Sequence, residues 1–395
     1  HIPSPISHVS LTMGEASSEM TSLVAVCILG VLTLLVFNFH TEPKIDGWND
    51  FEAEDEELER PVLSWLWTLQ RIVLLLLAVI GGPLVMIVLQ QRSILYRPEV
   101  AGRRISTGQK FNPVAWGLDH ESFFFTSRDG TKLHAWLLSS KEVGVKKPAI
   151  LFFHSNAGDL PQRLDFFSRM CRHLDVVILA MEYRGFGRSD DAEISEESMV
   201  EDASIAYQWL VNHAAVDSSK VDPEQIYVFG RSLGGCVTVR LVSRLLGVDA
   251  SAKSPPTETN TSTSLSKLPL PAGIVVENSP NCIADVATHM LPFLRLIPRS
   301  LLTWPLLLDE WRSSEWLDWI GQVLSKDAKT LQVCLLSAAH DKVVPPSCME
   351  ELRRVGQKHD SLEVSFHSFQ RGDHMGTYLL AGEHYWHCLR HFLAR

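Results

Sequence analysis

The sequence holds seven cysteines and sixteen histidines, yet no two cysteines are spaced C-x-x-C and no cysteine–histidine cluster has zinc-finger spacing. That excludes the common structural-zinc and dithiol-exchange chemistries, and no metal site is expected. The cysteines are scattered. Cys236, Cys282 and Cys334 lie in or beside apolar runs, where a free thiol behaves as a small hydrophobe. Positive charge is also short: 36 Lys and Arg face 46 Asp and Glu, a net charge of -10. Such a chain matches the phosphate backbone poorly, so no nucleic-acid partner is expected.

Two stretches have no charge at all. Residues 22–39 read SLVAVCILGVLTLLVFNF, and residues 72–89 read IVLLLLAVIGGPLVMIVL. Each is about long enough to cross a bilayer. A cleaved signal peptide would need a basic start, whereas residues 13–20 offer only Glu15 and Glu19. The expected layout is an N-terminal tail (1–21), a first membrane helix (22–39), an acidic loop (40–71), a second membrane helix (72–90) and a catalytic domain (91–395). Gly81-Gly82-Pro83 would kink the second helix, and Trp65, Trp67 and Arg92 would anchor its ends. The lipid bilayer is thus an expected partner, and an integral protein of an endomembrane or the plasma membrane is the expected localisation. Arg92, Arg97, Arg103, Arg104 and Lys110 follow the second segment, which favours a cytosolic catalytic domain. The sequon Asn260-Thr261-Ser262 is useful only in the lumen, so the side stays open.

From Glu121 onward the pattern changes. Ser122–Thr126 and Leu133–Leu138 flank Arg128-Asp129-Gly130 as a hairpin. Six short runs follow at 149–154, 176–181, 225–230, 273–277, 332–337 and 363–369, nearly continuous in apolar and β-branched residues, as buried parallel strands are. Amphipathic stretches at 162–173, 195–213, 234–246 and 347–359 alternate with them as helices. The fold class is α/β: a mostly parallel eight-stranded sheet with helices on both faces. Residues 249–271, rich in Ser, Thr and Pro, read as a surface loop. Residues 283–325 read as a helical excursion whose apolar residues either pack into the core or form a lid over the sheet edge.

The chemistry centres on Gly230-Arg231-Ser232-Leu233-Gly234, a G-x-S-x-G between a strand and a helix. This is the context in which such a serine becomes an exposed nucleophile, with Gly230 and Gly234 allowing close backbone approach at the elbow. Its partners should follow in the order acid, then histidine, after the seventh and eighth strands. Asp341 and His374 occupy those places. His367 lies within a strand, while His384, His387 and His391 share a helix; Asp373 is a lesser competitor to Asp341. Two backbone amides should receive the oxyanion. Leu233 supplies one by position, and Asn156, in the loop His154-Ser155-Asn156-Ala157-Gly158, is the choice for the other. His154 reads as a brace for that loop.

The segments SILYRPEV (93–100), FFHSNAGDLPQR (152–163), EYRGFGRSD (182–190), VFGRSLGG (228–235), GIVVENS (273–279), LLSAAHDKVVPP (335–346) and FQRGDHMGTY (369–378) together resemble the alpha/beta-hydrolase domain-containing protein 13 family of membrane-anchored serine hydrolases. The resemblance runs over roughly residues 93–395. It implies an alpha/beta-hydrolase fold, catalytic Ser232, Asp341 and His374, no cofactor, and hydrolysis of esters or thioesters. The chain departs from the family pattern at Ser155, where the family has glycine, and at Met375-Gly376, where it has Asn-Asp. The expected function is a membrane-anchored serine hydrolase acting on fatty-acyl substrates, such as palmitoylated proteins or lipid esters. The alternatives are a hydrolase-fold scaffold without catalysis and a serine peptidase.

Overall fold

In the computed structural model, residues 59–76, 82–140, 146–216, 221–248, 268–303 and 307–394 are described. Residues 92–395 form one compact unit and residues 1–91 another.

The larger unit is built on one eight-stranded sheet: β1 (Leu118–Thr126), β2 (Lys132–Ser140), β3 (Lys147–Phe153), β4 (Val177–Met181), β5 (Val221–Arg231), β6 (Gly273–Glu277), β7 (Leu331–Ala338) and β8 (Leu362–Phe369). Their spatial order is β1-β2-β4-β3-β5-β6-β7-β8. β2 pairs antiparallel with both β1 and β4, and every pairing from β4 through β8 is parallel. All eight expected strands are present. The burial of the central ones explains their unbroken apolar runs: on β3, Ala149, Leu151 and Phe153 join one core while Ile150 and Phe152 join the other. β5 repeats the pattern, with Ile226 and Val228 on one side and Tyr227 and Phe229 on the other. Period-two alternation thus persists, but both faces are dry.

Before the sheet come α1 (Glu59–Leu76) and α2 (Gly82–Leu95); the crossovers then supply α3 (Leu164–Leu174), α4 (Glu196–Val216), α5 (Leu233–Leu245), α6 (Ile283–Met290), α7 (Ser313–Lys326), α8 (Pro346–Gly356) and α9 (Glu383–Leu393). Residues of α4, α5, α7 and α8 fill one core, with Tyr207, Val237, Trp316 and Leu352 among them. α3 and α9 fill the other through Phe166, Phe167, Tyr385 and Trp386. The chain therefore has the alpha/beta-hydrolase arrangement, with helices on both faces.

The described residues of the expected span 72–90 belong to α1 and α2, and among the described residues no helix is long and apolar enough to cross a membrane. Residues 77–81, in the middle of that window, lie outside the described residues, and the expected kink at Gly81-Gly82-Pro83 falls at their edge. The expected span 22–39, the tail 1–21 and most of the acidic loop lie outside the described residues, as do residues 249–267 of the predicted insertion. Of the two readings of the excursion 283–325, core packing holds for its last part: α7 is a crossover helix whose Trp316, Trp319 and Ile320 are buried in the core, and Trp311 just before it joins them.

Candidate active site

β5 ends at Arg231 and α5 begins at Leu233, so Ser232 is the whole connection. Its φ of 56 and ψ of -122 are the strained backbone of a sharp reversal. The flanking glycines are required by contact. A Cβ on Gly230 would lie 1.9 Å from the Gly234 carbonyl oxygen, and a Cβ on Gly234 would lie 2.1 Å from that of Phe153. The Ser232 amide donates to the Glu277 carbonyl at 2.8 Å, tying the turn to the end of β6. Beneath it Arg231 and Glu277 form a buried ion pair at 2.7 Å, with the guanidinium 4.0 Å above the Phe166 ring.

Loops at the same edge of the sheet deliver the partners. His374, after β8, places Nε2 3.0 Å from Ser232 Oγ. Its Nδ1 is 2.7 Å from Asp341 Oδ2, after β7. A carboxylate only accepts, so Nδ1 carries the proton and the Nε2 lone pair faces the hydroxyl. Asp341 Oδ1 accepts the amides of Val343 (2.8 Å) and Val344 (3.0 Å), which fixes the carboxylate plane. Ser232, His374 and Asp341 are all buried. The structure brings these three together and leaves Asp373 out. The Asp373 carboxylate accepts the Met375 and Gly376 amides and so shapes the histidine turn from within.

Two residues that were given no role in the sequence, although both lie in the resemblance segments, hold this arrangement. Asn278, just past β6 with φ 47, accepts the Ala338 amide at 2.7 Å. Its Nδ2 reaches the carbonyls of Asp373 (3.2 Å) and His374 (3.1 Å). One side chain thereby joins β6, β7 and the histidine loop. The signal in the sequence was no more than a polar residue directly after an apolar strand. The second is Arg163. Buried at the start of α3, it donates to the carbonyls of Asp159 (2.5 Å) and Ala157 and to Ser155 Oγ (3.2 Å). Burial brings its guanidinium down to about 10, against the opposing pull of Asp159, so it is charged at neutral pH.

All three acceptors lie on the loop after β3, where Asn156 was chosen for the oxyanion. That loop is pinned from outside as well. Asn156 Nδ2 donates to the Leu95 carbonyl at 2.9 Å, and its own carbonyl accepts the Arg97 amide at 2.8 Å. Leu233, opposite, is the first residue of α5, whose amide has no partner inside the helix. Ser155 spends its hydroxyl on Arg163, beneath the loop. His154 is fully buried against Tyr183 at a ring distance of 4.1 Å, with Nδ1 2.6 Å from the Ser155 carbonyl. Its Nε2 has no partner among the described residues. Burial first, and Arg163 second, hold this imidazole well below the usual histidine range, so it is a neutral brace. The thiol nearest the elbow, Cys236, is pushed up to about 12 by burial and is no rival nucleophile at neutral pH. The six described cysteines are all free and buried.

Comparison with known proteins places this geometry in company. A family model described as alpha/beta hydrolase fold matches residues 150–255. The alpha/beta hydrolase domain-containing protein WAV2 of Arabidopsis thaliana is 29% identical over 80% of this chain and 91% of its own. Protein bem46 of Schizosaccharomyces pombe is 25% identical over 77% of this chain and 86% of its own. A shorter match, 33% identical over 25% of this chain and 24% of the other, is to the lysophosphatidylserine lipase ABHD12 of Danio rerio. Among solved structures, the esterase Pf2001 of Pyrococcus furiosus superposes with a TM-score of 0.50 at 14% identity, covering 74% of this chain and 95% of that one. The fold is that of the alpha/beta hydrolases.

Proposed function

We propose that this alpha/beta-hydrolase-fold protein is a serine hydrolase that cleaves carboxylic esters or thioesters. The observation that carries the reading is the unbroken chain from Ser232 Oγ through His374 to Asp341, at 3.0 and 2.7 Å. In the proposed reaction, His374 Nε2 takes the Ser232 proton as Oγ attacks the acyl carbonyl. Asp341 stabilises the imidazolium that forms. The Leu233 and Asn156 amides receive the oxyanion. The tetrahedral adduct collapses, and His374 returns the proton to the departing alcohol or thiol. Water then adds to the acyl-enzyme, giving its proton to His374, and the free acid leaves as Oγ recovers a proton.

Fatty-acyl groups are the substrate class this reading favours, as lipid esters or as palmitate on protein cysteines. The lipase named among the relatives supports the ester side. The matched segments quoted from the sequence favour placement near the alpha/beta-hydrolase domain-containing protein 13 family within the wider group. The test is turnover of p-nitrophenyl acyl esters of increasing chain length. The wild-type protein is expected to hydrolyse them and Ser232→Ala to lose at least about a thousandfold in kcat, the scale on which a missing nucleophile acts. Equal rates for the two proteins would end the proposal.

A further inference from the structure

Among the described residues of the excursion before α7, Leu294, Leu302 and Trp311 are buried, but other large apolar side chains are not. Met290, Phe293, Leu296 and Leu308 are 49, 52, 87 and 60% exposed. So many large apolar side chains in one short segment are unusual on a soluble face and mark a contact surface. Its charge is of one sign: between Asp285 and Asp309 the sequence has Arg295 and Arg299 but no acid. Both arginines line an open pocket of about 390 Å³, with Thr288, Leu296, Ile297 and Leu302 around it. Arg299 is set in the wall by Asp285 at 2.6 Å and by a contact to Cys282 Sγ at 3.2 Å. Arg295 has no ion pair among the described residues. The segment leaves the sheet after β6, at the edge that carries Ser232.

We infer that this face docks on an anionic phospholipid bilayer, with Phe293, Leu296 and Leu308 entering the acyl boundary and Arg295 and Arg299 meeting lipid phosphates. The chemistry is that of an interfacial segment: exposed apolar residues interleaved with arginine, with Asp285 the one acid on the pocket wall. A patch of exposed apolar residues and arginine is drawn to an anionic lipid surface by both terms at once. The docked edge is the one where acyl chains are needed if the serine hydrolase reading holds, and the consequence for catalysis rests on that reading.

The test uses the full chain with Cys27→Ser and an NBD fluorophore on Leu296→Cys; the six described cysteines are buried. Vesicles of phosphatidylcholine with phosphatidylglycerol should shift the emission to the blue, and lipids carrying a quencher on the acyl chain should quench it. Arg295→Glu should weaken the vesicle affinity by about fivefold or more. The same fluorophore on Val216→Cys should not respond, since that residue, 89% exposed, ends the helix leading to the start of β5. Phe293→Asp with Leu296→Asp should lose hydrolysis of a long-chain ester in vesicles and keep that of soluble p-nitrophenyl acetate. An unresponsive Leu296 probe, or an equal response at Val216, would overturn the docking surface. Failure of the wild type on the soluble ester would instead overturn the hydrolase reading and leave the probe result to decide docking.

Discussion

At Ser232 the backbone amide donates to Glu277 while the hydroxyl faces His374 Nε2, so both ends of the residue are fixed before any substrate arrives. Preorganisation of this kind is where hydrolases of this type gain most of their rate. The same logic gives Arg163 a role at a distance. Its three hydrogen bonds all end on residues 155–159, the loop that carries the Asn156 amide. Arg163→Gln should therefore lower kcat on a soluble ester by about a hundredfold, the scale of a small misplacement of a catalytic group, with KM changed far less. Arg163→Lys, which keeps the charge but not the planar fork, should fall between. Steady-state kinetics on the three proteins check this; a rise in KM with unchanged kcat would show that Arg163 serves binding and not the oxyanion loop. Ser155 belongs to the same account. Where the resembling family has glycine, this chain has a hydroxyl, and the hydroxyl is bonded to Arg163, below the loop.

The β5–turn–α5 element is intolerant by construction. Gly234→Ala would put a methyl 2.1 Å from the Phe153 carbonyl oxygen, a backbone atom of the central strand that cannot swing aside. The expected cost is about 3 kcal/mol, the upper part of the overpacking range, read as a lowered urea midpoint. At this scale most of the fold was legible. Apolar runs marked the central strands because those are buried on both faces, the Arg128-Asp129-Gly130 turn marked the leading hairpin, and the G-x-S-x-G gave the elbow because only glycine fits where Gly230 and Gly234 lie. Asp341 and His374 were found by chain order alone. The order β2-β4-β3-β5 was not legible, since the pairing of β3 with β5 across α3, β4 and α4 leaves no local mark. Asn278 was hidden for a related reason: its partners, Ala338 and His374, are 60 and 96 residues away.

For the whole molecule, the burial of His154 ties stability to pH. Its imidazole is held neutral in the folded state, with an affinity for protons well below that of the unfolded chain. Below about pH 6.5 the unfolded chain binds a proton that the native state does not. The stability this group allows is therefore complete above that pH and declines as the pH falls. One such site is worth about 1.4 kcal/mol between pH 7.5 and 5.5. His154→Phe, which keeps the ring against Tyr183 and cannot titrate, should flatten the loss by that amount in chemical denaturation at the two pH values. An unchanged slope would mean that the imidazole is protonated in place.

If one serine, activated by one histidine, carries the proposed chemistry, a fluorophosphonate should form a stable phosphonyl ester there with loss of fluoride, and peptide mass mapping shows where it has gone. A single adduct is expected on the peptide containing Gly230-Arg231-Ser232, absent in Ser232→Ala and slowed severely in His374→Ala. An adduct on any other residue, or labelling of folded Ser232→Ala equal to that of the wild type, would overturn this reading.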